Sequence, residues 1–340
     1  MKEIPSDKLN VRNDIVYEIN SETPFTGYKV QHYTTGEIEF KFCYKDGQAE
    51  GESITYYLSG QWHFKANYKK GELNGLCESY YENGQLGARE TYKGGVKDGS
   101  CEEYYENGQL WLKHTYKKGE LNGLREDYNE NGQLNTKYTY KNDVLNGPYE
   151  EYHPNGQLEF KGTYKNDKRD GPYETYYDSG DLAEKGTYKN GIQDGPYERY
   201  YLSGGLKFKG TYKNDERDGP WEIYGLTGQL VIKETYKNYV LNGPYEEYHP
   251  NGQLEFKATY KNDKRDGPYE SYNENGQLEL KGTYKNDKRD GYWETYYDNG
   301  KLMTKGTFNN DKRNGSFEWY HENGQLKEKR TYKDGKSLPD

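Results

Sequence analysis

The chain has 340 residues, 31% of them apolar and 31% charged, with 41 Tyr and 41 Gly. So small an apolar share excludes an ordinary deep core, while 16% aromatic residues excludes the usual composition of a disordered chain. A net charge of −9 argues against nucleic acid as a partner, and no apolar run is long enough for a membrane-spanning helix.

Residues 1–23 form a lead-in without an apolar signal core, with one extra strand expected from Ile15 to Ile19. A native start at Met1 implies a cytoplasmic protein. A Met1 added to a mature chain leaves an exported, cell-surface protein as the alternative.

Residues 24–336 are repetitive. From Gly27 a glycine recurs every 24 residues through Gly315, giving thirteen copies without insertion or deletion. Positions below are counted from this anchor glycine. A second glycine stands at +9, from Gly36 to Gly324, and Tyr at +17, with Phe308 the one exception. Position +14 is Lys in every copy but one, which has Arg89. Residues 337–340 are a tail.

The copy from Gly147 shows the local structure. Leu158, Phe160, Gly162 and Tyr164 alternate with Glu159, Lys161, Thr163 and Lys165, the pattern of a half-buried strand. Tyr149 to His153 reads as the preceding strand. Asn155-Gly156 between them predicts a two-residue turn with positive φ at both residues. The other connection, Asn166 to Gly171, reads as a longer polar loop. This register places Glu150 opposite Lys161 and Tyr149 opposite Gly162. Leu158 then joins Phe160 and Tyr164 on a packed face, and Tyr152 stands on the Glu/Lys face. A bulge at Glu151 would turn Tyr152 inward. The fold class is therefore all-β: a repeat array of β-hairpins in one long twisted antiparallel sheet of about 26 strands.

Catalytic signatures are absent, so an enzyme is not expected. Cys43, Cys77 and Cys101 make no disulfide framework, and the latter two read as substitutes for Tyr at +2. His153, His249 and His321 share position +6 beside the turn and read as solvated residues, not metal ligands. No cofactor is expected.

Tyr-Lys-Asn-Asp-x-x-x-Gly, then an aromatic and Glu, then Asn-Gly-Gln-Leu, resembles the MORN repeat, in the variant form of the bacterial YwqK-type antitoxin family. The resemblance runs from Pro24 to about Lys336. It implies successive antiparallel hairpins, protein–protein contacts and, for YwqK-type members, a toxin as partner. Related MORN proteins are also linked to phospholipids. Position +15 departs from the pattern, being Gly162 in one copy but Glu90, His114 and Arg330 in others.

Two candidate surfaces follow. The +5 row, Tyr104, Tyr128, Tyr152, Tyr176, Tyr200, Tyr224, Tyr248, Tyr272 and Tyr296, is expected to bind a protein partner, because Tyr offers contact area at low rotamer cost. Arg169, Arg217, Arg265, Arg289 and Arg313 are expected in loops along one edge. There they either meet phospholipid or an acidic partner, or are neutralised by adjacent Asp170, Asp218, Asp266 and Asp290. The reading is a non-catalytic, antitoxin-like binding scaffold. Peripheral membrane attachment and an exported surface protein contacting host or neighbouring cells are the alternatives.

Overall fold

The computed structural model describes residues 1–339. Among them are 37 strands and one 3-10 turn, the expected all-β array of hairpins. The strands divide into two units, Met1–Arg169 and Asp170 onward. The excess over 26 arises mainly at +23. There, for example, the Asp194 N–H turns to the Thr187 carbonyl at 3.0 Å, splitting the outgoing strand into Ile192–Gln193 and Gly195–Tyr200.

The first unit opens with a cap. Glu3–Pro5 pairs in parallel with Gly27–His32, and Leu9–Arg12 pairs with Ile15–Glu18, so the extra strand exists and has its own partner. Phe25 is buried beneath this cap. Antiparallel hairpins then follow in chain order within each unit.

The two turns exchange the roles read from sequence. At the +9 end, the His153 N–H donates to the Gln157 carbonyl and the Gly156 N–H to the His153 carbonyl, both at 2.8 Å. Gly156 has φ 86°, whereas Asn155 is not left-handed. This is a three-residue loop, a type I turn closed by a left-handed glycine. The Asn155 amide oxygen instead accepts the Gln157 N–H at 2.9 Å. The extra loop residue is absorbed by a bulge on the return strand: Glu151 pairs with Phe160 and Tyr152 with Leu158, leaving Glu159 unmatched. Beyond the bulge, Glu150 faces Lys161 and Tyr149 faces Gly162, as the shorter loop had required. Tyr152 therefore stays on the Glu/Lys face.

Leu158 does not stay where alternation placed it. Trp62, at the same +11 position, lies 5.7 Å from the +5 Tyr80 and 5.2 Å from the Lys65 ammonium. The bulge has moved the +11 row beside the tyrosines, away from Phe160. At the other end, Asn166 and Asp167 have φ of 51° and 62°, and Lys165 pairs with Lys168. The supposed long loop is thus the tight type I′ turn, and Lys168–Arg169 is strand. Tyr239 is the one aromatic residue forced into this left-handed position, with φ 65°.

The packed row alternates +2 with +15. Trp221 and Trp293 are 1% and 3% exposed. A Cβ added at the facing Gly210 or Gly282 would meet the indole at 2.3 or 2.1 Å. The ring thus lies flat on a residue that has no side chain. In the first unit the volumes are traded: Cys77 faces Glu90, Cys101 faces His114, and Arg125 faces Tyr138. Cys77 and Cys101 are free and buried, in the site that Tyr fills in other copies.

Gly282→Ala is expected to lower stability by about 1–3 kcal/mol through overpacking, whereas Ala258→Gly, facing the smaller Tyr245, changes it by less than about 1 kcal/mol; urea melts of each variant check this. Tyr239→Asp is expected to raise stability by about 1 kcal/mol by relieving an unfavourable left-handed conformation, read as a higher urea midpoint.

Candidate functional site

The +5 tyrosines share one geometry. Each phenol donates to the Glu two residues earlier: Tyr104 to Glu102 at 2.9 Å, Tyr128 to Glu126 at 3.2 Å, Tyr152 to Glu150 at 2.7 Å. Tyr224, Tyr248 and Tyr296 do the same at 2.6, 2.5 and 2.5 Å, and Tyr176, Tyr200 and Tyr272 bond Glu174, Glu198 and Glu270. Residues two apart on a strand share a face, so these bonds fix the row on the Glu/Lys face. Burial, then the carboxylate, pushes the Tyr152, Tyr224 and Tyr248 phenols up to about 12.

The +14 lysine completes the unit. Lys281 lies 2.6 Å from Glu294 and 5.7 Å from the Tyr296 ring centre. Lys185 bridges likewise to Glu198 and Tyr200. The bond from Lys185, then that from Tyr200, holds the Glu198 carboxyl below its usual value. The rings are half-buried, packed on their neighbours and tied through their hydroxyls.

The arginines are not in loops. Arg265 and Arg289 lie 4.0 Å from the ring centres of Tyr284 and Phe308. Arg217 sits 4.5 Å from Trp221, Arg169 4.6 Å from Phe160 and Arg313 5.2 Å from Phe317. These contacts place them on the packed aromatic face, cation over ring. Nor are their carboxylate partners the adjacent ones. Arg265 pairs with Asp287 and Arg289 with Asp311, the turn residues of the next copy. Those carboxylates also accept the arginine backbone N–H, each at 2.9 Å. The neighbouring Asp266 instead accepts the N–H of Asn286 at 3.3 Å.

Sequence reading missed the locks between successive copies. The +6 phenol donates to the +5 carbonyl of the next copy, as in Tyr201 to Tyr224 at 2.8 Å and Tyr297 to Tyr320 at 2.7 Å. His249 makes the same contact to Tyr272 at 2.9 Å. Two of the three +6 histidines are therefore not solvated: His153 and His249 side chains are 13% and 14% exposed, whereas His321 is exposed as expected. The recurrence of Tyr or His at +6 was the available signal. A second lock runs from the +8 amide, as in Asn107 to the Glu130 carbonyl at 2.9 Å.

The first unit holds a polar interior. Lys97 bonds Glu90 at 2.6 Å, and Arg125 bonds Asp127 at 2.9 Å. Between them His114 is 5% exposed, neither ring nitrogen has a partner, and Tyr116 meets it edge-on at 5.0 Å. Among the described residues no group of three or more His, Cys, Asp or Glu is placed to hold a metal ion.

The variant MORN repeat family matches eleven segments, at 73–93, 97–118, 121–142, 145–166, 169–190, 193–214, 217–238, 241–262, 265–286, 289–310 and 313–334. These cover well over half of the chain, which therefore belongs to the MORN repeat variant family. The first two copies, which carry the cap, lie outside the match. No curated protein matches the chain. Among solved structures, the crystal structure of TcdB2-TccC3 is 15% identical, with 90% of this chain covered and a TM-score of 0.20. The Photorhabdus luminescens Tc holotoxin pore with the TccC3 mutation D651A is also 15% identical, with 88% covered and a TM-score of 0.19. The chain spans only 19% and 18% of those chains.

Burial, then the Lys97 and Arg125 charges, holds the His114 imidazole below its ordinary value, so the folded chain keeps it neutral. An unfolded histidine titrates near about 6.5, so this contribution is complete above that pH and is lost as pH falls below it. Cys101→Tyr with His114→Gly restores the common pair. That double variant is expected to lose less thermal stability than the parent between pH 7.5 and 5.5, followed by circular dichroism.

Proposed function

We propose that the protein is a non-catalytic binding scaffold that engages a protein partner through its +5 tyrosine face. The observation that carries this reading is the constraint on that row. Tyr104, Tyr128, Tyr152, Tyr176, Tyr200, Tyr224, Tyr248, Tyr272 and Tyr296 repeat with one side-chain geometry, half-exposed and tied to glutamate. Fixed aromatic rings lose little freedom on binding. The recurring Glu–Lys pairs add a polar surround of alternating charge. The family resemblance makes a toxin the favoured partner and an antitoxin-like role the specific form of the proposal. Membrane attachment through the arginines has less support, since their guanidinium groups are spent on rings and turn carboxylates.

Replacing Tyr200, Tyr224, Tyr248 and Tyr272 together by Phe keeps the rings and removes the hydroxyls; replacing them by Ser removes both. In pull-downs from native lysate the Ser variant is expected to lose its specific partner, and the Phe variant to retain it more weakly. Retention of every captured protein by a folded Ser variant would overturn the proposal.

A further inference from the structure

We infer that the turn edge of the second unit carries a binding site for a small dianionic oxyanion of the phosphate type, held by Lys285 and Lys288. The site is separate from the tyrosine face and independent of that reading.

The starting observation is an electrostatic mismatch. Lys285 and Lys288 are direct cross-strand partners at the type I′ turn, and like charges so placed repel. The fold does not demand this. Lys69 faces Glu72, Lys117 faces Glu120 and Lys213 faces Glu216 at the same position. Both lysines are exposed, and neither is among the ion pairs of the described residues.

The next turn supplies the rest. An open cleft of about 610 Å³ is lined by Lys285, Asn286, Lys288, Asn309, Asn310 and Asn314, with Asp290, Gly291, Thr307 and Phe308. Two of these residues differ from those of the copies just before them. Position +18 is Lys in the neighbouring copies but Asn309 here, and +23 is Asp in both preceding copies but Asn314 here. The substitutions remove a competing cation and a repelling carboxylate, and add two amides. The Asn309 oxygen accepts from the Asn310 amide at 3.0 Å, which leaves the Asn309 NH₂ as donor. Asp290 is the one carboxylate on the lining, and it faces the Asn310 N–H at 3.5 Å. Asp311, next to Lys288, is already engaged by Arg289. Two exposed ammonium groups outside the ion pairs, with several amide donors and a single lining carboxylate, suit an oxyanion with two charges. At Lys261 and Lys264, also cross-strand partners, the following turn keeps Lys285 and Asp290, so the same lysine pair meets its own charges.

The test is calorimetric titration of inorganic phosphate, and separately glycerol phosphate, into the full chain at constant ionic strength. Saturable one-site binding is expected. Lys285→Gln with Lys288→Gln should weaken it about tenfold or more, the size of a lost charged hydrogen bond. Asn314→Asp installs the residue that both preceding copies carry at +23, so it folds, and should weaken binding comparably. Lys261→Gln with Lys264→Gln should leave it unchanged. Equal weakening by both lysine pairs would mean a diffuse charge effect and overturn the site, as would no saturable binding by the parent. Capture by phosphatidylglycerol vesicles without binding of either soluble phosphate would overturn it too.

Discussion

The packed face of the second unit depends on laying aromatic rings flat on glycines of the neighbouring strand. A sheet without a second layer has no other element to bury its apolar face against. The hairpin solves this by removing one side chain, at Gly210 or Gly282, and spreading a large one, Trp221 or Trp293, over the vacated backbone. At some copies without the ring the opposite residue is larger, as His114 is against Cys101. The chemistry of the row thus changes along the chain, from aromatic on glycine to charged or polar pairs.

The second constraint is that almost every polar group is used locally. Phenols hold glutamates, lysines bridge to the next copy, turn aspartates cap arginine N–H groups, and the arginines lie over rings. This explains how a chain with 31% charged residues makes a regular structure. Mismatched groups therefore stand out: a histidine with two unpartnered nitrogens in the first unit, and facing lysine pairs such as Lys285–Lys288 at several of the tight turns.

The period, the all-β class and the cross-strand partners Glu150–Lys161 and Tyr149–Gly162 were legible in the sequence, because alternation and charge pairing constrain them strongly. The turns were not. Asn-Gly suits both a two-residue loop and a three-residue loop with a left-handed glycine, and the choice rests on a bulge at Glu159 that leaves no compositional trace. The longer loop and the bulge cancel, so the register came out right while Leu158 changed face. The arginines were misplaced for a related reason. Asn-Asp at 166–167 reads as a loose polar loop, yet both residues tolerate positive φ and close the tightest turn in the repeat. The locks at +6 and +8 join residues 23 apart, beyond any pattern within a single hairpin.

Those locks reach only to the adjoining copy. Tyr201 grips the carbonyl of Tyr224, and Asn107 that of Glu130; neither side chain senses what lies two copies away. Excising or inserting one 24-residue segment therefore rejoins the same donors to the same acceptors. Copy number becomes a heritable variable that recombination can change without passing through a misfolded intermediate. Residues 146–174 and 242–270, identical except for Gly162 and Ala258, look like the trace of such an event. Selection on this protein can adjust its length independently of its stability per repeat.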